Sequence, residues 1–183
     1  MFSLSQVATA LSRAPNREND EERNAVRLKG LAQTRVLDLA DEGISGRKQR
    51  RRVDFEEACV ASIFLVLADF GLIGNDFTQL RVGLQPQPEW TNRGALIADV
   101  SEWVLAGEEW VHDITFTIDG AGRRGITGYL RRPSETPHQV RQAEPLRDFY
   151  AAQHIVVVGN TVLHLNGFLP HVVRHLHELQ TGS

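Results

Sequence analysis

Arg47-Lys48-Gln49-Arg50-Arg51-Arg52-Val53-Asp54-Phe55-Glu56-Glu57 is the stretch on which the reading of this chain turns. Five of its first six side chains are cationic, in a protein whose formal net charge is only -3. A knot of like charge repels itself and calls for an anionic partner, of which phosphate is the commonest. Directly after it, Asp54 offers a helix cap with Glu57 three residues on, a capping-box arrangement. The run from Ala58 to Ala68 is apolar on nearly every helical face, so this helix must be packed on several sides as the core of a first module. Gly71 offers a left-handed stop after Phe70.

Upstream, Leu4, Val7, Ala8 and Leu11 have helical spacing, Ala14-Pro15-Asn16 breaks it, and a charged segment runs from Arg17 to Arg23. A helix resumes near Asn24. Gly30-Leu31 is a candidate tight turn before a second helix, about Ala32 to Glu42, with Val36, Leu37, Leu39 and Ala40 on its apolar side and Gly43 ending it. Two short helices about a turn make a candidate helix-turn-helix, and the basic run then falls where a wing would stand.

Leu28 to Ile44, the basic run and Val53 to Glu57 together resemble the winged-helix domain of MerR-like transcription regulators. Gly30 fills the place of the turn glycine, Glu42-Gly43-Ile44 the acidic close of the recognition helix, Arg47 to Arg52 the wing, and Phe55-Glu56 the start of the next helix. The opening Phe2-Ser3-Leu4-Ser5-Gln6-Val7-Ala8 resembles the family's first strand and helix, with residues around Ala14 to Asn24 as an insertion between the two matches. Leu37-Asp38-Leu39 departs from the pattern, since the family usually has an arginine and aromatics there. The resemblance covers about the first 75 residues. It implies a sequence-specific regulator of transcription bound to double-stranded DNA. Gln33, Thr34 and Arg35, at the start of the expected recognition helix, would reach base edges, where glutamine reads adenine and arginine guanine. Arg47, Lys48, Gln49, Arg50, Arg51 and Arg52 would lie on phosphates or in the minor groove and supply the salt-sensitive affinity.

Gly83 to Gly94, with two prolines and no clear period, reads as a connection, so residues 1–83, 84–94 and 95–183 are the expected DNA-binding domain, linker and second domain. In the second domain Leu96, Ile97, Val100, Trp103 and Val104 fit a helix face, and His112, Ile114, Phe116 and Ile118 alternate as a strand. Gly120 to Gly122 turns into a second strand near Ile126 to Leu130. A polar loop from Arg131 to Pro145 follows, and Phe149 and Tyr150 return the chain to the core. His154 to Val158 and Thr161 to Leu165 flank Gly159-Asn160, a two-residue hairpin signal, and Leu169, Val172, Val173, Leu176 and Leu179 mark a last helix. The expected fold class is therefore α+β, a winged helix-turn-helix followed by a small antiparallel-sheet domain for dimerisation or effector binding. A homodimer is the minimum that two DNA half-sites demand, and a small-molecule or protein effector is possible at the second domain.

The composition sets bounds on this reading. Residues 1–83 carry 12 basic and 12 acidic side chains and residues 84–183 carry 8 and 11, so the excess acid lies in the second half. One cysteine, Cys59, excludes an internal disulfide and fits a reducing cytoplasm. The longest apolar run is far short of the roughly 20 residues that span a bilayer. His171 and His175, four apart on one helix, invite a metal reading with His164 and His177 nearby, but the apolar residues claim the buried face and leave both on the solvent side, so no metal or other cofactor is expected. No nucleophile or paired-carboxylate pattern stands out and the chain is not expected to be an enzyme; His112, Asp113 and His164 are its weak candidates for a site. The alternatives are an architectural or excisionase-like DNA-bending protein, or a protein-interaction module with an incidental basic loop.

Overall fold

The computed structural model describes residues 1–15, 17, 20–40, 52–84, 96–135 and 155–182. Within them the chain is mixed α+β, with six helices and two small antiparallel sheets. Strand β1 (Phe2–Ser3) leads into α1 (Leu4–Ser12), whose Ser3 cap accepts from the Gln6 amide while Gln6 reaches back to the Ser3 amide, a complete capping box. Helix α2 (Glu21–Gln33), β2 (Arg52–Val53), α3 (Phe55–Asp69) and α4 (Gly74–Leu84) follow. Then come α5 (Ile97–Leu105), β3 (Val111–Ile118), β4 (Arg124–Arg131), β5 (Val156–His164) and, after one 3-10 turn, α6 (Leu169–Gln180).

Helix α3 is the hub of the fold. It is buried without a break from Glu57 to Leu67, and α1, α2, α4, α5 and α6 all pack on it. An all-round apolar helix has no solvent face to offer, so the rest of the chain is wrapped about it. Asp54 caps its start, accepting from the Glu57 amide at 2.8 Å. Its end is a Schellman turn with Gly71 at φ 85°, the Leu72 amide reaching the Leu67 carbonyl and the Gly71 amide that of Ala68, as the sequence predicts. The capping box expected at this helix is only half made, because the Glu57 carboxylate turns inward to Arg81 instead of back to its own cap.

Several sequence expectations meet a different structure, each for a physical reason. Among the described residues the helix expected over Ala32 to Glu42 does not form: α2 runs straight through Gly30-Leu31 and stops at Gln33, and residues 36–40 lie outside any helix, with Ala40 bridged to Arg52. A glycine inside a helix costs only about 1 kcal/mol, which the burial of Leu28, Leu31 and Ala32 offsets. Helix α2 begins at Glu21, within the 14–24 stretch that the resemblance treats as an insertion. Gly159-Asn160 makes no hairpin; β5 continues through it along the whole of β3, with Val158 left over as a bulge between the pairs Phe116–Gly159 and Thr117–Val157. An eight-residue central strand offers a longer hydrogen-bonded ladder than a two-residue turn can repay. One buried cluster also runs across the expected division at 83/84. Leu80, Leu84, Leu28, Ile114, Ile126, Leu130 and Val172 belong to one continuous buried cluster, and Leu84, placed in the linker by its sequence, is a buried helix residue.

The second sheet has the order β4-β3-β5, antiparallel throughout, with the Asp119–Arg123 turn joining β3 to β4 as expected. Helix α4 covers the outer edge of β4. Gln79 accepts from the Ile126 amide at 2.9 Å, and Gly83 lies so close that a Cβ there would stand 1.7 Å from the Gly128 carbonyl oxygen. Only glycine admits this approach, which seals the backbone of that edge. No described residue seals β5.

Candidate nucleic-acid interface

The first sheet holds the two residues that flank the segment 41–51. Strand β1 pairs with β2 through Phe2–Val53 and Ser3–Arg52, and Ala40 bridges the other side of Arg52, its amide donating to the Arg52 carbonyl at 2.9 Å. The order is thus β1, β2, Ala40, with β2 in the middle. Ala40 and Arg52 both belong to this ladder, which β1 joins to the first turn of α1. Arg47, Lys48, Gln49, Arg50 and Arg51 lie outside the described residues, as do Glu42, Gly43 and Ile44, and Arg52 is a half-buried member of the ladder.

The approach to Ala40 is held by a buried ion pair. Arg81 on α4 grips Glu57 with two parallel bonds of 2.6 Å, and the same guanidinium donates to the Val36 carbonyl at 2.8 Å and to Asp38 at 2.5 Å. Glu57 also accepts from the Asp38 amide at 2.9 Å. Burial opposes the charge on Arg81, but the hydrogen bonds and charges of Glu57 and Asp38 outweigh it and raise the guanidinium pKa above its usual value. The segment that ends in the ladder is therefore fixed to α3 and α4 by a bidentate pair closed to solvent.

Gln33, Thr34 and Arg35 are all exposed, but they form the last residue, cap and exit of α2 rather than the start of a recognition helix. Arg35 stands at φ 57°, closing a Schellman turn in which the Val36 amide reaches Leu31 and the Arg35 amide reaches Ala32. The outward face of α2 is Glu22, Val26, Lys29 and Gln33, with Val26 62% exposed. Its inner face is Asn24, Leu28, Leu31 and Ala32. This outward face is exposed stripe material at helical spacing, and the sequence hides it because the charged stretch before Asn24 looks like a loop.

At the other end of α2 lies a cluster that the sequence gives no sign of. Asp69, the last residue of α3, accepts from Arg17 at 2.8 Å, from Arg27 at 2.5 Å and from Arg23, while Arg23 also lies 3.8 Å from Asp20. Partial burial pushes the Asp69 carboxyl up, but hydrogen bonds from Arg27 and Arg17 and the charges of Arg17 and Arg23 outweigh it and hold it below the ordinary range.

The histidines do not converge. His112 is fully buried on the sheet face that meets α4, its ring against Gly128 and Leu80, with neither ring nitrogen bonded. Burial drives its pKa down to about 4, against a small opposing pull from Asp113. Asp113 points to the opposite face and pairs with Arg131 at 2.8 Å, and His164 is exposed at the end of β5. His175, expected on the solvent side, is buried and lies 3.2 Å from Glu178, because the apolar stripe of α6 is wide enough to take it in; His177 stacks on Phe55. Among the described residues no three potential ligands gather to hold a metal ion. Cys59 is fully buried, and burial pushes its thiol far up despite a hydrogen bond with Ser101. A shallow groove of about 360 Å³ between the starts of α3 and α5 is lined by Asp54, Glu56, Asp99 and Glu102 and is acidic. No described helix is long and apolar enough to cross a membrane.

Comparison with known proteins gives no kinship: no family profile, no curated protein and no solved structure matches this chain.

Proposed function

We propose that residues 1–84 are a winged helix-turn-helix that binds double-stranded DNA, with α1 and α2 as the helix pair and the 41–51 segment as the wing. The observation that supports this reading is the β1–β2–Ala40 ladder, which brings together Ala40 and Arg52, the residues flanking an arginine-rich stretch of sequence, next to the start of α1. In this arrangement α2, not the 32–42 stretch, enters the major groove. Its outward side chains suit base edges: Glu22 can accept from cytosine, Val26 can meet a thymine methyl, Lys29 guanine and Gln33 adenine. Thr34 and Arg35, at the helix exit, fall nearer the wing and phosphates.

A regulator of transcription on two half-sites needs a second copy. The edge of β5, which no described residue covers, suits one: Val156 to His164 contains no Asp, Glu, Lys, Arg or proline, Val156, Val157, Val158 and Val162 are exposed, and antiparallel self-pairing brings no like charges together.

Fluorescence anisotropy on two unrelated duplexes across a salt series tests the reading. Arg50→Glu with Arg51→Glu should weaken binding on both duplexes alike and flatten the salt dependence. Lys29→Ala with Gln33→Ala should chiefly erase the preference between them. Binding that is weak, equal on both duplexes and indifferent to both variants would reject it and leave the β5 edge as evidence for a protein-interaction module. Val158→Lys, read by sedimentation velocity, separately tests the dimer.

A further inference from the structure

We infer that Arg17, Arg23 and Arg27 form a phosphate-binding site, and that the phosphate is one of the DNA backbone, held beside the first half of α2. The inference rests on the proposed DNA-binding reading and extends it to residues outside helix face and wing.

The first argument is stoichiometry. Three guanidiniums surround one carboxylate and are left with an excess of two positive charges; Asp20, 3.8 Å from Arg23, offsets part of it. Three guanidiniums carry fifteen N–H donors between them, and two carboxylate oxygens cannot satisfy that supply. The shortfall is visible: Nη1 of Arg17 is buried with no hydrogen-bond acceptor. A buried donor without an acceptor is costly, and a phosphate brings several strong acceptors to planar, fork-shaped donors.

The second argument is position. Helix α2 runs antiparallel to α3, since Arg23 and Arg27 meet the last residue of α3 while Val36 and Asp38, just past the end of α2, meet Arg81 and Glu57 at the start of α3. The arginine cluster thus lies on the first half of α2, and the residues that lead to Ala40 leave from its other end. Arg23 and Arg27 stand ten and six residues before Gln33, about 15 and 9 Å along the axis at 1.5 Å per residue. That spacing sets cations beside Glu22, Val26, Lys29 and Gln33 on a helix that fits a major groove about 12 Å wide, where they can reach a flanking phosphate row. Arg23 and Arg27 lie beside this outward face on the helix surface, and the side chain of Arg23 is 50% exposed, so a backbone can reach it.

At rest Asp69 occupies the place of the phosphate. On DNA the guanidiniums exchange this carboxylate for, or share it with, a phosphodiester.

The experiment is DNA anisotropy at several salt concentrations with wild type, Arg23→Gln/Arg27→Gln, Asp69→Asn and the wing variant Arg50→Glu/Arg51→Glu, each checked by circular dichroism. The triad variant should make the log–log salt slope shallower by about one to two, as expected from losing one or two phosphate contacts. Asp69→Asn should tighten binding severalfold by removing the competing anion, and it carries the test alone if the double variant does not fold. A triad variant with the wild-type slope, or Asp69→Asn with wild-type affinity, overturns the site while a weakened wing variant keeps the winged-helix reading standing. Wild type without salt-dependent binding removes that reading itself. Inorganic phosphate, titrated while following thermal unfolding, separates the two sources. Stabilisation that the triad variant loses, with an unchanged DNA slope, assigns a free anion and overturns the DNA assignment.

Discussion

The two ends of α3 solve the same electrostatic problem in opposite ways. At the start, Glu57 is 5% exposed and meets one guanidinium, two bonds to two oxygens, with the remaining donors of Arg81 directed to Val36 and Asp38. At the finish, Asp69 meets three guanidiniums whose side chains range from 16% to 50% exposed, and one donor is left over. A buried pair with every acceptor used is closed to competitors and can only be structural. A partly open cluster with surplus donors has capacity for another anion. The same residue types at the two ends of one helix are therefore separated into scaffold and candidate site by how completely they are satisfied.

The largest effect is expected at the closed end. Arg81→Ala leaves a buried carboxylate without its partner and should destabilise the fold by about 3–5 kcal/mol in urea denaturation. Adding Glu57→Gln and replacing Arg81 by methionine instead should restore much of that loss. If Arg81→Ala costs no more than an exposed pair would, the distinction between the two ends fails.

His112 supplies the limiting case, a buried ionisable group with no partner. It stays neutral in the folded protein down to a pKa of about 4, whereas the unfolded chain takes up a proton near the ordinary imidazole value of 6.5. Between those values the unfolded state binds the extra proton, so stability falls as pH drops, by up to ~1.4 kcal/mol per pH unit and roughly 3 kcal/mol in all. His112→Leu should remove this slope between pH 6.5 and 4. An identical slope in both proteins would show that His112 is not the group responsible.

What the sequence revealed and what it hid divide along the range of the interactions. The caps of α3, at Asp54 and Gly71, and the apolar faces of α5 and α6 are set by neighbours within a turn or two, and they stand where the sequence places them. The end of α2 was hidden because a glycine was expected where the chain stops, whereas Arg35 takes the left-handed position and Gly30 is an ordinary helical residue. Glu57 left its capping role for Arg81, 24 positions away, and Asp69 collects arginines 42 to 52 positions away. No spacing rule connects such residues; only the antiparallel packing of α2 on α3 does. The basic run from Arg47 to Arg52 is the converse case, conspicuous in composition while all of it but Arg52 lies beyond the described residues.

Arg35→Gly sharpens the picture at the closed end by a smaller amount. The left-handed backbone costs arginine about 1–2 kcal/mol, and glycine returns part of that in unfolded-state freedom, so a net gain of about 0.5–1 kcal/mol is expected in thermal or urea unfolding. If Arg35 also serves DNA, the more stable variant binds more weakly. Greater stability with unchanged binding would make Arg35 a strained helix stop and nothing more.

The smallest stability effect is expected at the open end, and its smallness is the test. Asp69 keeps 21% of its side-chain surface exposed, and Arg23 and Arg27 keep 50% and 34%, so solvent screens their attraction and the mutual repulsion of the guanidiniums offsets part of it. Asp69→Asn should therefore change unfolding stability by less than about 1 kcal/mol. A loss comparable to that of Arg81→Ala would mean that Asp69 is needed to hold three cations together against their own repulsion, and the cluster would then be a fastening between α2 and α3. A near-neutral result means that the arginines do not depend on Asp69 for their place, which is the condition for a phosphate to replace it.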